Sequence, residues 1–103
     1  MGAFCDVFGQ TPRLKVLEFF LEGREIDFSI ASVAEETELS RATTYAICDE
    51  LIDHQFILPT RKVGNVQLYK LNKSKPEVQL LCKAFRMVLI MVAKEYQEKE
   101  LVH

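Results

Sequence analysis

Residues 40–46 carry several side chains that could contact nucleic acid. Hydroxyl groups can donate hydrogen bonds to phosphates, and an arginine can bind a phosphate or the acceptor edge of guanine. Alanines allow a helix to approach DNA closely and can contact thymine methyl groups. The alternative is a solvated surface helix on which the hydroxyls act as caps, the arginine balances nearby acids and the tyrosine packs as a flanking ring. The candidate DNA-contacting residues are Ser40, Arg41, Ala42, Thr43, Tyr45 and Ala46.

A second candidate region lies between positions 59 and 75, where five residues are basic and none is acidic. Arg61 and Lys62 precede the turn sequence Val63-Gly64-Asn65. A hairpin would place these two basic residues beside its tip, where they could contact the DNA backbone or the minor groove together with Asn65. The alternative is a solvated hairpin whose basic side chains discourage edge-to-edge aggregation.

The overall charge argues against nucleic-acid binding, because proteins that neutralise phosphates usually present a basic surface. The chain has a formal net charge of −2 and a pI near 5.7. Its negative charge is concentrated in residues 18–38, which hold seven acidic residues and one basic residue. We expect this acidic segment either to face away from DNA or to bind a protein partner. The charge pattern therefore predicts a weak, oriented attraction to DNA that depends on the hairpin and on dimerisation.

Cysteine and histidine usage argues against a disulfide framework, a metal site and a catalytic centre. Cys5, Cys48 and Cys82 are odd in number and widely spaced, so reduced thiols are expected. Cys48 and His54 fall on different sides of a predicted helix, and His54 and His103 lie at predicted helix ends. No catalytic triad, phosphate-binding loop or convergent carboxylate pair is recognisable in the sequence. We expect a protein that is not an enzyme and that carries no metal and no cofactor.

The composition is typical of one compact domain, with 103 residues of which 49% are hydrophobic and 27% charged. The longest uninterrupted apolar run, Met87 to Ala93, has seven residues, whereas a membrane-spanning helix needs about 20. The first residues also lack the features of a signal peptide. The sequence predicts a cytoplasmic protein with no membrane partner.

The predicted elements place both candidate regions in one small architecture. Capping residues precede several apolar segments with helical periodicity. Two adjacent helices joined by a turn of about three residues form a helix-turn-helix unit, and a following hairpin is its wing. The predicted elements are helices over 12–21, 30–37, 41–54 and 75–101, a short strand over 25–28, and hairpin strands over 56–58 and 67–71.

Four sequence blocks resemble the winged helix-turn-helix regulators of archaea, which are broadly similar to the arsenic-repressor and multiple-antibiotic-resistance repressor groups. The resemblance covers about residues 8–85. It implies a mainly α fold with a small β-hairpin wing (α+β) and DNA binding for transcriptional regulation. The whole chain, 1–103, would be one domain with a winged-helix core over 8–73 and a dimerisation helix over 74–101. The blocks are FGQTPRLKVLE at 8–18, SVAEETELSRAT at 32–43, DEL at 49–51, and VGN at 63–65 with LYKLN at 68–72.

Two residues depart from the pattern of that family. Glu38 stands in the turn where glycine is usual, because one residue there takes a positive φ, and the cost to a larger residue is about 1 kcal/mol. A looser or differently wound turn is therefore expected. Thr44 stands at an inward position that is commonly apolar and β-branched, so its hydroxyl needs a partner, for which the backbone carbonyl one turn back is the candidate.

The long C-terminal helix carries two apolar stripes, and two stripes need two surfaces to bury them. At about 40 Å it is long for a domain of this size. We expect it to form a homodimer, which would also place two recognition helices about 34 Å apart. The alternative is a helix that belongs only to the core of its own chain. The second stripe is Leu80, Ala84, Met87 and Met91, and the predicted dimer interface is Leu81, Phe85, Val88, Leu89, Val92 and Tyr96.

The sequence thus predicts a homodimeric protein that binds double-stranded DNA and regulates transcription. An alternative is a winged-helix interaction module that binds another protein through its acidic face. A third is a dimer that senses a small-molecule effector in the apolar space around Met87 and Met91.

Overall fold

A computed structural model describes residues 3–102 of the chain and the side chains of residues 5–97. Five helices and a two-stranded antiparallel hairpin make up the described residues, which confirms the predicted mainly α fold with a β-hairpin wing. The elements are α1 (Ala3–Phe8), α2 (Pro12–Glu22), α3 (Ile30–Thr37), α4 (Arg41–Asp53), β1 (Ile57–Val63), β2 (Val66–Leu71) and α5 (Pro76–Val102).

Side-chain caps explain why α2, α3 and α4 begin where the sequence predicts. Thr11, Ser29 and Ser40 are the N-cap residues. Each side-chain oxygen accepts a hydrogen bond from the backbone N–H three residues later, at 3.3, 3.1 and 3.1 Å respectively. Each such cap contributes about 0.5–2 kcal/mol to helix stability. The caps therefore fix the start of the helix-turn-helix unit and of the helix that precedes it.

The strands differ from the prediction in two ways. The short strand expected after α2 is reduced to one bridge pair, in which Phe28 and Tyr69 exchange two backbone hydrogen bonds of 2.8 Å. Strand β1 is longer than expected and continues through Pro59 to Val63. Its pairing with β2 is irregular between Pro59 and Lys62, and proline is tolerated at such an irregularity because no ladder donor is required there.

The turn between α3 and α4 is formed without glycine. Glu38 itself adopts the left-handed conformation, with φ 60° and ψ 28°. The Leu39 N–H donates to the Ala34 carbonyl at 3.1 Å, which closes the end of α3. The expectation of a looser or differently wound turn is therefore wrong, because the ordinary backbone path is kept at a cost of about 1 kcal/mol. The Thr44 hydroxyl donates to the Ser40 carbonyl at 2.8 Å, as predicted.

Helix α1 was not predicted, and it changes the role of one acidic residue. Glu18 of α2 is only 1% exposed, and its carboxylate accepts a 2.8 Å hydrogen bond from the Cys5 backbone N–H. A carboxylate at the N-terminal end of a helix satisfies a free N–H and interacts favourably with the helix dipole. Glu18 therefore does not belong to the surface acidic segment in which the sequence placed it.

The hydrophobic core lies where α2, α3, α4 and β1 meet the N-terminal part of α5. Val16, Val33, Cys48 and Ile57 are fully buried there. Helix α5 adds one of its two stripes to the same core, so the domain and the long helix are packed as one unit. The α5 residues buried in this core are Val78, Phe85 and Val88.

Candidate nucleic-acid interface

The first turns of α4 present the predicted contact residues to solvent. The inner face of α4 is buried through Thr44, Ile47, Cys48 and Leu51, which fixes the rotation of the helix. The opposite face is therefore held outward on a rigid element. The exposed residues on it include Arg41, Ala42, Thr43, Tyr45 and Ala46, together with the acidic Asp49 and Asp53.

The polar side chains at the start of α4 differ in whether they already have a partner within the protein. The Ser40 hydroxyl accepts from the Thr43 backbone N–H at 3.1 Å and donates to the Thr43 hydroxyl at 2.9 Å. Both hydroxyls thus serve the cap. Among the described residues, no carboxylate lies within ion-pair distance of Arg41. The Arg41 guanidinium is therefore available to an external anion.

A groove of about 260 Å³ separates α4 from the wing and from the start of α3. Tyr45 of α4 and Asn65 of the hairpin turn both line this groove, although these two candidate DNA-contacting residues lie far apart in the sequence. Gly64 has φ 62°, the left-handed conformation that this tight turn requires. Three further residues with polar side-chain atoms line the groove and were not predicted from the sequence, Ser29, Gln67 and Tyr69. The signal for Ser29 was its N-cap position, since helix N-termini attract phosphates.

Arg61 of the wing is bound to the protein itself. Its Nε donates to Asp27 Oδ2 at 3.0 Å and its Nη2 donates to Asp27 Oδ1 at 3.3 Å. The Thr60 hydroxyl donates to the same carboxylate at 2.6 Å. These two hydrogen-bond partners, Arg61 first and Thr60 second, lower the pKa of Asp27. The Arg61 side chain is still 67% exposed, so it lies at the surface but carries a paired charge.

The base of the wing is neutralised in the same way. Glu25 pairs with Lys73, which lowers the pKa of the Glu25 carboxyl, and lies 3.8 Å from Lys70 Nζ. Lys75 lies 3.4 Å from Glu77. In the part of the chain that the structure describes, Lys62 is the basic residue of the wing that has no ion pair. The basic segment is thus largely compensated in the folded chain.

The six residues predicted for a dimer interface occupy different environments in the monomer. Phe85 and Val88 are 5% and 8% exposed and belong to the core of their own chain. They therefore leave little surface for a second copy. Leu81 and Val92 are half-buried beside them. Leu89 and Tyr96 are exposed, as are three residues of the second stripe, Leu80, Met87 and Met91.

Several solved structures share the fold of this chain. An apo form of a ZitR mutant from Lactococcus lactis superposes with a TM-score of 0.68 at 17% identity, covering 94% of this chain and 71% of that one. Wild-type ZitR in complex with DNA gives 0.66 at 18% identity, with 86% and 60% covered. HlyU, a transcriptional regulator from Vibrio vulnificus, gives 0.60 at 15% identity, with 80% and 82% covered. The chain thus spans about 60% of the ZitR chain in that complex.

No protein-family model and no curated protein matches the sequence. The fold is nevertheless a winged helix, because the order of elements, the helix-turn-helix unit and the hairpin agree with those structures. Within residues 3–102, no helix is long and apolar enough to cross a membrane. The same residues contain no cluster of three or more His, Cys, Asp or Glu side chains that could hold a metal ion.

Proposed function

We propose that this protein is a non-enzymatic transcriptional regulator that binds double-stranded DNA as a homodimer. The observation that carries the proposal is the exposed and unpaired Arg41 at the start of α4, next to a groove that α4 shares with the wing. ZitR, which has a similar fold, binds DNA in its complex, and HlyU is a transcriptional regulator. A cytoplasmic location and a relationship to the archaeal regulators stay predictions.

The surface charges suggest how DNA would be oriented on the protein. The first two turns of α4 would enter a major groove, which is about 12 Å wide. Asp49 and Asp53 lie further along the exposed face and would repel phosphates, so the rest of α4 would stay outside the groove. Lys62 and Asn65 at the hairpin tip would contact the adjacent backbone or minor groove.

The outer face of α5 supports the homodimer. Leu80, Met87 and Met91 are 65%, 56% and 63% exposed on a helix of 27 residues. Their helical spacing gathers them on one side, about a third of a turn around the helix from the buried Phe85 and Val88. A second copy with the same apolar face would cover this stripe by two-fold symmetry. The proposed interface therefore shifts from the core-facing stripe to Leu80, Met87 and Met91, whereas Leu89 and Tyr96 are exposed on another side of α5.

DNA binding is tested by selecting genomic fragments on the purified protein and measuring Kd by fluorescence anisotropy at several salt concentrations. We expect saturable binding that weakens as salt rises, because bound phosphates release counter-ions. Arg41→Ala should weaken binding. Lys94→Ala removes the same charge from an exposed position on α5 and should leave Kd unchanged. The absence of binding to any fragment at low salt would contradict the proposal.

Dimerisation is tested by light scattering with two matched substitutions. Met87 and Val63 are both 56% exposed, the first on α5 and the second in the wing. Met87→Glu should produce a monomer with an unchanged circular dichroism spectrum, because an exposed charge on the outer face opposes its burial. Val63→Glu should stay dimeric. A Met87→Glu protein with the mass of the wild type would rule out this face as the interface.

A protein-interaction module is the second candidate function, and the acidic surface favours it. Glu35, Glu36 and Glu38 are exposed at the end of α3 and in the following turn. None of them has an ion-pair partner among the described side chains. A stable protein partner whose binding survives Arg41→Ala but is lost on charge reversal of Glu35 and Glu36 would support this function.

A further inference from the structure

A cleft between α5 and the loop after α2 contains a concentration of basic side chains. Its volume is about 390 Å³, which is within the usual range of small-molecule sites. It shares no lining residue with the groove beside α4. The charged residues that line it are Arg24, Glu25, Lys73, Lys83 and Arg86.

The positive charge of this basic cleft exceeds its negative charge, and its acid is already engaged. Glu25 forms an ion pair with Lys73. Arg24, Lys83 and Arg86 have no ion-pair partner in the part of the chain whose side chains are described. Lys83 and Arg86 are three residues apart on α5 and therefore lie on the same face. Like charges gathered around one cavity repel each other, and an anion between them would remove that repulsion.

An adjoining cavity of about 320 Å³ offers an apolar surface next to these charges. It shares Arg24 and Arg86 with the basic cleft, and Leu21, Phe85 and Leu89 supply its apolar lining. Leu21 and Phe85 are buried, so the exposed Leu89 supplies most of the accessible apolar surface. A ligand that contacts both arginines could therefore place an uncharged group against Leu89. Burial of such a group would add to the affinity in proportion to the apolar area covered.

The one acidic residue that lines this adjoining cavity is Glu22, and its surroundings disfavour its ionised form. Burial, followed by the nearby charge of Glu18, raises the pKa of Glu22. Among the described side chains, Glu22 forms no ion pair with Arg24 or Arg86. The positive charge of Arg24 and Arg86 is thus left available to a ligand.

We propose that the basic cleft and the adjoining cavity together bind a phosphorylated small molecule. Its phosphate group accepts charge-assisted hydrogen bonds from Arg24, Lys83 and Arg86, for which the guanidinium fork is well suited. Its uncharged part packs against Leu89 in the adjoining cavity. Such a ligand would connect the loop after α2 to the long helix and would bind without occupying the DNA-facing groove.

The test is a titration of the full chain with phenyl phosphate and with inorganic phosphate at constant ionic strength. Calorimetry should give saturable binding of both probes, with phenyl phosphate about tenfold tighter because its ring is buried. Arg86→Gln should weaken both by about tenfold or more. Lys94→Gln, which removes an equal charge from α5 outside the cleft, should bind both like the wild type.

A second readout reports on the site directly. Cys82 lines the basic cleft and is half-buried, whereas Cys5 and Cys48 are buried. Bound phenyl phosphate should slow the alkylation of Cys82 in the wild type but not in Arg86→Gln. A response that does not saturate, or one that is equal in wild type and Arg86→Gln, would overturn the proposal. The proposal would also be overturned if neither probe bound the wild type and Arg86→Gln weakened DNA binding. The cleft would then contact the DNA backbone.

Discussion

Helix α4 and the wing each present an arginine on the surface predicted to contact DNA, but the two arginines are in different states. Arg41 on α4 is exposed and has no ion pair within the described part of the chain. Arg61 in the wing is held by both carboxylate oxygens of Asp27. The same residue type therefore offers a free charge in one region and a compensated charge in the other. A count of basic residues along the chain overstates the attraction of the wing for phosphate.

The difference arises from a small feature of the backbone. The bridge between Phe28 and Tyr69 attaches the loop after α2 to the side of β2. This attachment brings Asp27 and Glu25 beside the wing, where they pair with Arg61 and Lys73. Acidic and basic segments that are separate in the sequence thus neutralise each other in space. On the surface predicted to contact DNA, the unpaired basic residues lie at the start of α4 and at the hairpin tip.

Among the changes that distinguish the two regions, substitution of Arg41 should have the largest effect on DNA affinity. We expect Arg41→Ala to weaken DNA binding by about 1–3 kcal/mol, the usual contribution of an arginine that contacts a base edge. Arg61→Ala should weaken it less, because Arg61 must give up Asp27 before it can contact phosphate. The measurement is Kd by anisotropy on one selected fragment at one salt concentration. An equal loss in both variants would remove the distinction between α4 and the wing.

Releasing Arg61 from Asp27 should have a smaller effect on DNA binding. Asp27→Asn removes the charge that holds Arg61, so one more cation becomes available to DNA. The slope of log K against log salt should then steepen by about 0.9. Asp53→Asn removes an equal charge from the exposed end of α4 and should change the slope less. If the two variants give the same slope, Arg61 is not released by loss of Asp27.

Local signals in the sequence were sufficient to predict α2, α3, α4 and the hairpin turn. The caps Thr11, Ser29 and Ser40 and the apolar spacing predicted α2, α3 and α4, and Gly64 marked the hairpin tip. These features act over a few residues, so sequence reasoning can find them. Helix α1 and the burial of Glu18 depend on a contact between residues 13 apart in the sequence, and no local pattern shows it.

The candidate site was only partly predictable for the same reason. The exposed face of α4 followed from helical periodicity, because Thr44 and Cys48 fix which side is buried. The pairing of Arg61 with Asp27 joins residues 34 apart, and neither segment carries a signal for the other. On α5, periodicity predicted two stripes but could not show which one faces the core. The structure places Phe85 and Val88 inside and Met87 and Met91 outside.

The smallest effect should be seen in the acid stability of the protein. The pKa of Asp27 is lowered in the folded state by its hydrogen bonds to Arg61 and Thr60. The stabilisation from this pair is therefore fully present above the unfolded pKa of about 4, and it is lost as pH falls through the lower folded value. Because Arg61 is largely exposed, solvent screens the pair and the effect is small.

Asp27→Asn removes this titration, so the variant should lose less unfolding free energy than the wild type between about pH 5 and pH 2. Urea unfolding at a series of pH values measures the difference. The Asp53→Asn variant should follow the wild-type curve, since Asp53 has no ion pair among the described residues. If the Asp27→Asn curve runs parallel to that of the wild type, the bidentate pair does not form in solution. Arg61 would then be as free as Arg41, and the wing would offer Arg61 as well as Lys62 to phosphate.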